Sequence, residues 1–231
     1  MKRVLVSWSS GKDSAWTLHV LRRQPEVEIC GLVTTFNAAA DRVAMHAVRR
    51  SLVEMQAARA GLPLWPVELP WPCSNAEYET RMRAVCERAI AERIDAIAFG
   101  DLFLEDIRQY RIRQLEGTCL EPLFPIWGIP TSELGREMIR AGVKARLTCV
   151  DPGKLDPAFA GREYDEALLG DLPPAVDACG ENGEFHTFVY DAPIFSEPLA
   201  ILGGEVVKRD GFVFADVLPT DLPRNLKTVL A

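Results

Sequence analysis

Short apolar runs alternate with stretches of helical spacing through the first half of the chain. Val4-Leu5-Val6 reads as a strand, and Ala15, Leu18, Val20 and Leu21 mark the apolar face of a helix that ends at Arg22-Arg23 before Pro25. Residues 27–36 then form a buried strand. Strand, helix and strand at this spacing make a βαβ unit with parallel strands and a right-handed crossover. A helix over 45–60 follows, stopped by Gly61 and Pro63, and residues 64–69 make a proline-interrupted strand suited to a sheet edge. Next come a helix over 75–93, with Met82, Val85, Ala89 and Ile90 inward, a strand at 96–99 and a helix over 104–117. This half is therefore α/β, a parallel sheet flanked by helices.

The prolines of 119–127 read as an extended seam, which places a domain boundary near 118: a first domain over 1–118 and a second over 119–231. The second is smaller and α+β. Thr131 caps a helix with Leu134, Met138 and Ile139 on its apolar face; residues 145–150 form a strand, 161–169 a short helix, and an alternating strand follows Glu184. Residues 199–217 read as a hairpin turning at Arg209-Asp210-Gly211 and covering that domain's sheet.

Composition changes the picture mainly by exclusion. The 231 residues are 48% hydrophobic and 26% charged, ordinary for a globular chain, and the net charge of −7 argues against a dedicated nucleic-acid binder. No apolar stretch reaches the roughly 18–20 residues needed to span a bilayer. Met1-Lys2-Arg3 is followed by too short an apolar run for a signal peptide, so a cytoplasmic protein without a membrane partner is expected. The six cysteines are scattered with no C-x-x-C pair and are expected to be free thiols rather than zinc ligands.

The candidate chemistry begins directly after the first strand, at Ser7-Trp8-Ser9-Ser10-Gly11-Lys12-Asp13-Ser14. A polar turn entering a helix presents unpaired N–H groups and a partial positive charge to an anion. Gly11 would let that anion approach the backbone, Lys12 adds a cation, Ser9, Ser10 and Ser14 add hydroxyls, and Asp13 offers a carboxylate to Mg2+. The expected ligand is a polyphosphate. The spacing is not G-x-x-x-x-G-K-[ST], because Val6 stands five before Gly11 and Asp13 follows the lysine. Ligands of open parallel sheets bind at strand carboxyl ends, which brings in Thr34, Thr35 and Phe36 as adenine neighbours and Gly100 and Asp101 as a second Mg2+ or pyrophosphate-side pair. Arg108, Arg111 and Arg113 supply guanidinium forks near that edge. In the second half, Cys179-Gly180-Glu181-Asn182-Gly183-Glu184-Phe185-His186 concentrates polar chemistry on glycine hinges beside a strand.

Ser9 to Ser14 is similar to the S-G-G-K-D-S signature of the PP-loop ATP pyrophosphatases, with Ser10 in place of the first glycine. Joined to Gly100-Asp101, Pro125-Ile126-Trp127-Gly128 and Cys179 to Phe185, it resembles the diphthine–ammonia ligase family across nearly the whole chain. That resemblance implies a HUP-type (adenine nucleotide alpha hydrolase-like) nucleotide domain and a substrate domain. It also implies ATP cleaved between its α and β phosphates with Mg2+ on Asp13 or Asp101, and ammonium joined to an acceptor carboxylate on a protein or small molecule. In this reading Lys12 and Asp13 stabilise the leaving group, and Glu181, Glu184 and His186 line the ammonia site. His46 takes a nucleotide-side role, and Arg111 holds pyrophosphate. The family pattern has a third acidic residue where this chain has His186, so the acceptor need not be diphthine. A PP-loop enzyme adenylating an RNA base and a non-catalytic ATP sensor are the alternatives, and a homodimer is an open assembly.

Overall fold

The computed structural model describes residues 1–44 and 46–220. Its first sheet is built from β1 (Lys2–Ser7), β2 (Val27–Asn37), β3 (Arg42–Val43), β4 (Leu64–Leu69), β5 (Ala96–Ala98) and β6 (Glu121–Leu123). The main strands run parallel in the order β4-β2-β1-β5-β6. The short β3 pairs antiparallel with the end of β2, on the edge that β1 leaves free. β4, with its Pro66, is an edge strand as its sequence requires. β6 lies past residue 118 yet pairs with β5 in this sheet.

Between the strands run α1 (Lys12–Arg22), α2 (Arg50–Ala60), α3 (Asn75–Ala91) and α4 (Glu105–Leu115). Alternation along β1 sends Val4 and Val6 into a core shared with α1 and α2, and Leu5 into a core shared with α3. The helices therefore cover both faces, and the carboxyl ends of β1 and β5 open where the strand order reverses. This is the curled, helix-flanked parallel sheet of the HUP type. On α3 the inward residues are Val85, Cys86 and Ala89, while Ile90 is exposed, one position off the expected face.

The second half contains α5 (Thr131–Arg140), β7 (Lys144–Val150), α6 (Glu166–Asp171), β8 (Phe185–Asp191), β9 (Ile201–Arg209) and β10 (Phe212–Pro219). Its sheet is antiparallel in the order β8-β7-β10-β9. Several expectations need correcting. The 199–217 hairpin does not cover this sheet but supplies half of it, because β10 pairs with β7 through Val213–Val150 and Phe214–Cys149. The helix expected over 161–169 starts only at Glu166, since Gly161, Arg162 and Tyr164 spend their backbone groups on Leu147 and Ala145 of β7. α2 starts at Arg50 rather than 45: Val43 N–H donates to Val48 O at 2.8 Å and Arg42 bridges Arg49, which closes a loop before the helix can begin. Met45 itself lies outside the described residues. Thr131 does not cap α5; its hydroxyl donates to Asp177.

One hydrophobic core runs from Val4 and Val6 through Leu18 and Leu52 to Leu147, Phe185 and Phe188, joining the two sheets. All six cysteines are free thiols. Among the described residues no helix is long and apolar enough to cross a membrane.

Candidate active site

The turn between β1 and α1 sits where the two sheets meet. Ser10 adopts φ 72°, a left-handed conformation that glycine reaches without penalty, which accounts for glycine in the corresponding place of the S-G-G-K-D-S pattern. The conformation is held from both sides. Ser10 O accepts from Val189 N of β8 at 3.0 Å and from Gln56 Nε2 at 3.0 Å; Gln56 also donates to Val189 O at 2.6 Å and accepts from Trp8 Nε1 at 2.9 Å. Gly11 lines the smaller of the cavities described below and has a further use. A Cβ there would lie 3.1 Å from Thr187 O and 3.2 Å from Thr187 Oγ1, so its missing side chain also admits β8. Lys12 N–H donates to the same Thr187 hydroxyl at 3.1 Å. Gly100 is similarly pressed on the first turn of α1, its Cβ position 3.0 Å from Asp13 C.

Lys12 is buried, and its Nζ donates to both carboxylate oxygens of Asp13 at 2.9 Å and to Cys179 O. The rings of Tyr164 and Phe185 lie 5.4 and 5.7 Å from it. Burial pulls the ammonium down, but Asp13 and, more weakly, Cys179 and Glu181 outweigh it and hold Lys12 above the ordinary lysine value. The lysine thus ties the phosphate turn to the 177–184 loop. Asp177 shapes that loop by accepting from Cys179 N and Glu181 N, each at 3.0 Å. Glu181 Oε1 accepts from Leu102 N at 2.8 Å, and burial, only partly offset by that bond, lifts its carboxyl to about 7. Glu184 is buried: Oε1 accepts from Asp177 N and Asn182 Nδ2 at 3.0 and 3.1 Å, while Oε2 has no hydrogen-bond partner.

Opposite this loop, Arg111 of α4 faces Asp101 at 3.5 Å, and neither Asp101 Oδ2 nor Arg111 Nε has a hydrogen-bond partner. Burial raises the Asp101 carboxyl against the pull of Arg111. The neighbouring arginines point elsewhere: Arg108 stacks 4.8 Å from the Trp127 ring, and Arg113 is exposed. His46 and His186 pack ring to ring, with centroids 4.3 Å apart. Burial lowers both imidazoles, His186 to about 4, with Lys12 adding to the effect, so both are neutral near pH 7.

Two cavities adjoin here. The smaller, about 220 Å³, is lined by Ser9, Gly11 to Ser14, Gly100, Asp101, Arg111, Cys179 to Glu181, and His186. The larger, about 800 Å³, is mostly apolar and runs between β2, the 69–73 segment and the β9–β10 turn. Ser7, Ser9, His46, Phe99, Arg111 and His186 wall both. Of the three β2 residues proposed beside adenine, only Thr35 lines the larger cavity, together with Val33 and Asn37. Thr34 and Phe36 point to the other face by strand alternation: Thr34 Oγ1 donates to Trp8 O at 2.8 Å, and Phe36 is fully buried in the core. Ser10 and Glu184 line neither cavity.

The sequence reading missed Thr187, Gln56, Asp177 and a clasp on Asp216. Arg42 and Arg49, which bracket the His46 loop, both bind the Asp216 carboxylate of β10. Asp177 and Thr187 carried a signal, since they flank the polar 179–186 run; Gln56 and Asp216 carried none. Among the described residues no three His, Cys, Asp or Glu side chains are grouped closely enough to hold a metal by themselves. Both oxygens of Asp13, expected to hold Mg2+, are engaged by Lys12, which leaves Asp101 as the carboxylate for a divalent cation, whose shell ligand oxygens would complete.

Residues 1–121 match the family model described as diphthamide synthase N-terminal domain, and residues 130–215 match that of the diphthamide synthase C-terminal domain. Among curated relatives, the chain is 33% identical over 135 residues to a diphthine–ammonia ligase of Homo sapiens and 30% over 142 residues to one of Mus musculus. These alignments cover 54% and 58% of this chain, and the chain spans about half the length of those relatives, 49% and 52%. A diphthine–ammonia ligase of Danio rerio aligns over 93% of the chain and 92% of its own length at 27% identity. With both family models matched in order, the chain belongs to the diphthamide synthase family.

Proposed function

We propose that the protein is an ATP-dependent amide ligase: it transfers the adenylyl group of ATP to an acceptor carboxylate, releasing pyrophosphate, and ammonia then displaces AMP to leave the amide. The observation that carries this reading is the shared 220 Å³ cavity, in which the phosphate turn and the Glu181 loop face each other with Lys12 between them. The residues fit a magnesium-bound polyphosphate. On the cavity wall Asp101 Oδ2 and Arg111 Nε form an ion pair at 3.5 Å with no hydrogen bond between them, a loose pair whose carboxylate suits a cation and whose guanidinium suits phosphate oxygens. Mg2+, when bound, neutralises charge on the phosphates.

The chain's own groups act by position and electrostatics. Lys12, Arg111 and the α1 N-terminus attract the phosphates. Glu181, with its carboxyl at about 7, is placed to take the proton that ammonium must lose before it is a nucleophile. Glu184 orders the loop through Asp177 N and Asn182. His46 and His186, both neutral, form the wall between the two cavities. The 800 Å³ cavity holds the adenosine and the acceptor; diphthine, named for the relatives, is the first acceptor to test. The rival thiolation chemistry is disfavoured because burial pushes the Cys149 and Cys179 thiols up to about 12, far from the thiolate that such chemistry needs.

The test is the nucleotide product. With α-labelled ATP, Mg2+, ammonium and a diphthine-bearing acceptor protein, AMP and pyrophosphate are expected, and Lys12→Ala lowers turnover about ten- to a hundredfold through loss of a charge-assisted contact. ADP as the product, or a Lys12→Ala rate near that of the wild type, overturns the assignment.

A further inference from the structure

Lys12 lines the 220 Å³ cavity, yet its side chain is buried. Its ammonium is enclosed by the two oxygens of the Asp13 carboxylate at 2.9 Å, the Cys179 carbonyl, and the faces of Tyr164 and Phe185 at 5.4 and 5.7 Å. A carboxylate, a carbonyl and two aromatic faces are the partners of a small, fully desolvated cation. The cage is itself braced: the Tyr164 hydroxyl donates to Ala178 O at 2.9 Å, and Phe185 opens β8 directly after the loop that Asp177 orders.

We infer that this cage is the ammonium-binding subsite of the ligase, occupied here by the protein's own ammonium group. The inference rests on the ligase reading above. A lysine head and free ammonium differ only in that a hydrogen replaces the alkyl stem, so the same oxygens and ring faces serve both. Lys12 has a flexible four-carbon stem and lines the 220 Å³ cavity, so phosphate charge entering that cavity competes with the cage for its head group. Nucleotide binding thereby empties the cage as it fills the neighbouring phosphate site, and ammonium enters beside Glu181. Binding in that order keeps the ammonium site closed until ATP is in place.

Thermal unfolding of the full chain tests this, with ammonium chloride titrated against tetramethylammonium chloride at constant ionic strength. Wild type alone should show no difference between the two salts, because Lys12 fills the cage. Lys12→Ala, and wild type saturated with α,β-methylene-ATP and Mg2+, should both gain a saturable stabilisation specific to ammonium. Adding Phe185→Leu to Lys12→Ala should raise the half-saturating ammonium concentration about two- to thirtyfold, the value of one cation–π contact. Identical responses of Lys12→Ala to the two salts, or no effect of Phe185→Leu on its ammonium response, would overturn the inference. Should Lys12→Ala fail to fold, Lys12→Met keeps the apolar stem and serves in its place. The analogue's own effect on unfolding separates the two claims: no shift on adding it counts against ATP binding, while the lysine variant judges the cage without nucleotide.

Discussion

Gln56 is a single buried amide that holds the phosphate turn against the second sheet, and replacing it with methionine of similar volume isolates what those bonds are worth. Trp8 Nε1 loses its Gln56 acceptor in a site that is 2% exposed, costing about 1–3 kcal/mol for a bare indole N–H. Ser10 O keeps its bond from Val189 N at 3.0 Å, so the two lost Nε2 bonds count as ordinary ones, about 0.5–1.5 kcal/mol each. The sum, about 2–6 kcal/mol, lowers a urea midpoint by on the order of 1–3 M at a slope of about 2 kcal/mol per M. A cycle with Trp8→Phe separates the indole bond from packing: in that background Gln56→Met should cost about 1–3 kcal/mol less, because no N–H remains to be stranded. The strained Ser10 conformation also loses one of its two anchors, so affinity for ATP analogues should fall with stability. Midpoints unchanged by Gln56→Met, or additivity of the two substitutions within about 0.5 kcal/mol, would refute the reasoning.

Gly11→Ala should destabilise the fold by about 1–3 kcal/mol in thermal melts, since its new methyl meets the Thr187 carbonyl at 3.1 Å and that carbonyl belongs to a paired strand. Asp216→Asn should cost about 1–3 kcal/mol at pH 7 and detach the His46 loop. Burial raises the Asp216 carboxyl, but Arg42 and Arg49 outweigh it and set it below the ordinary 3.8. Its stabilisation is therefore complete above that value and lost as pH falls below it, so an acid titration of stability should show this loss in wild type and not in the asparagine variant. Glu181 has the opposite sign: its folded carboxyl, at about 7, binds a proton that the unfolded chain releases near 4.5, so stability falls as pH rises between those values, and Glu181→Gln removes that slope. If its carboxylate takes the proton from ammonium, amide formation rises with pH through about 7 in wild type and loses that inflection in Glu181→Gln.

Much of this site was legible because its chemistry is local. A strand, a turn of small polar residues and a helix lie within Val4 to Arg22; the strand-end rule brings Asp101 to the same edge, and the family resemblance singles out Arg111. Where local pattern is silent, the reading failed for physical reasons. Thr34 and Phe36 were grouped with Thr35, although neighbours on a strand face opposite ways. The second use of Gly11 has no sequence signal, because nothing nearby announces that Thr187, 175 positions beyond Lys12, packs against it. Gln56 sits on a helix face that would read as core except for its amide, and Asp216 alternates along β10 like any half-exposed strand residue. The hairpin was legible as a hairpin, but its pairing with β7 depends on contacts between Val213 and Val150 that no periodicity encodes.

The core that passes from Val4 through Leu52 to Phe188 without interruption also limits how the molecule can breathe. Rotating one sheet away from the other would expose that shared interior to water, together with the Gln56 and Thr187 bonds. Any change in the shape of the larger cavity therefore falls to the short segments that line it outside that core, Pro70 to Cys73 and the Arg209-Asp210 turn, where Trp71 stands 70% exposed.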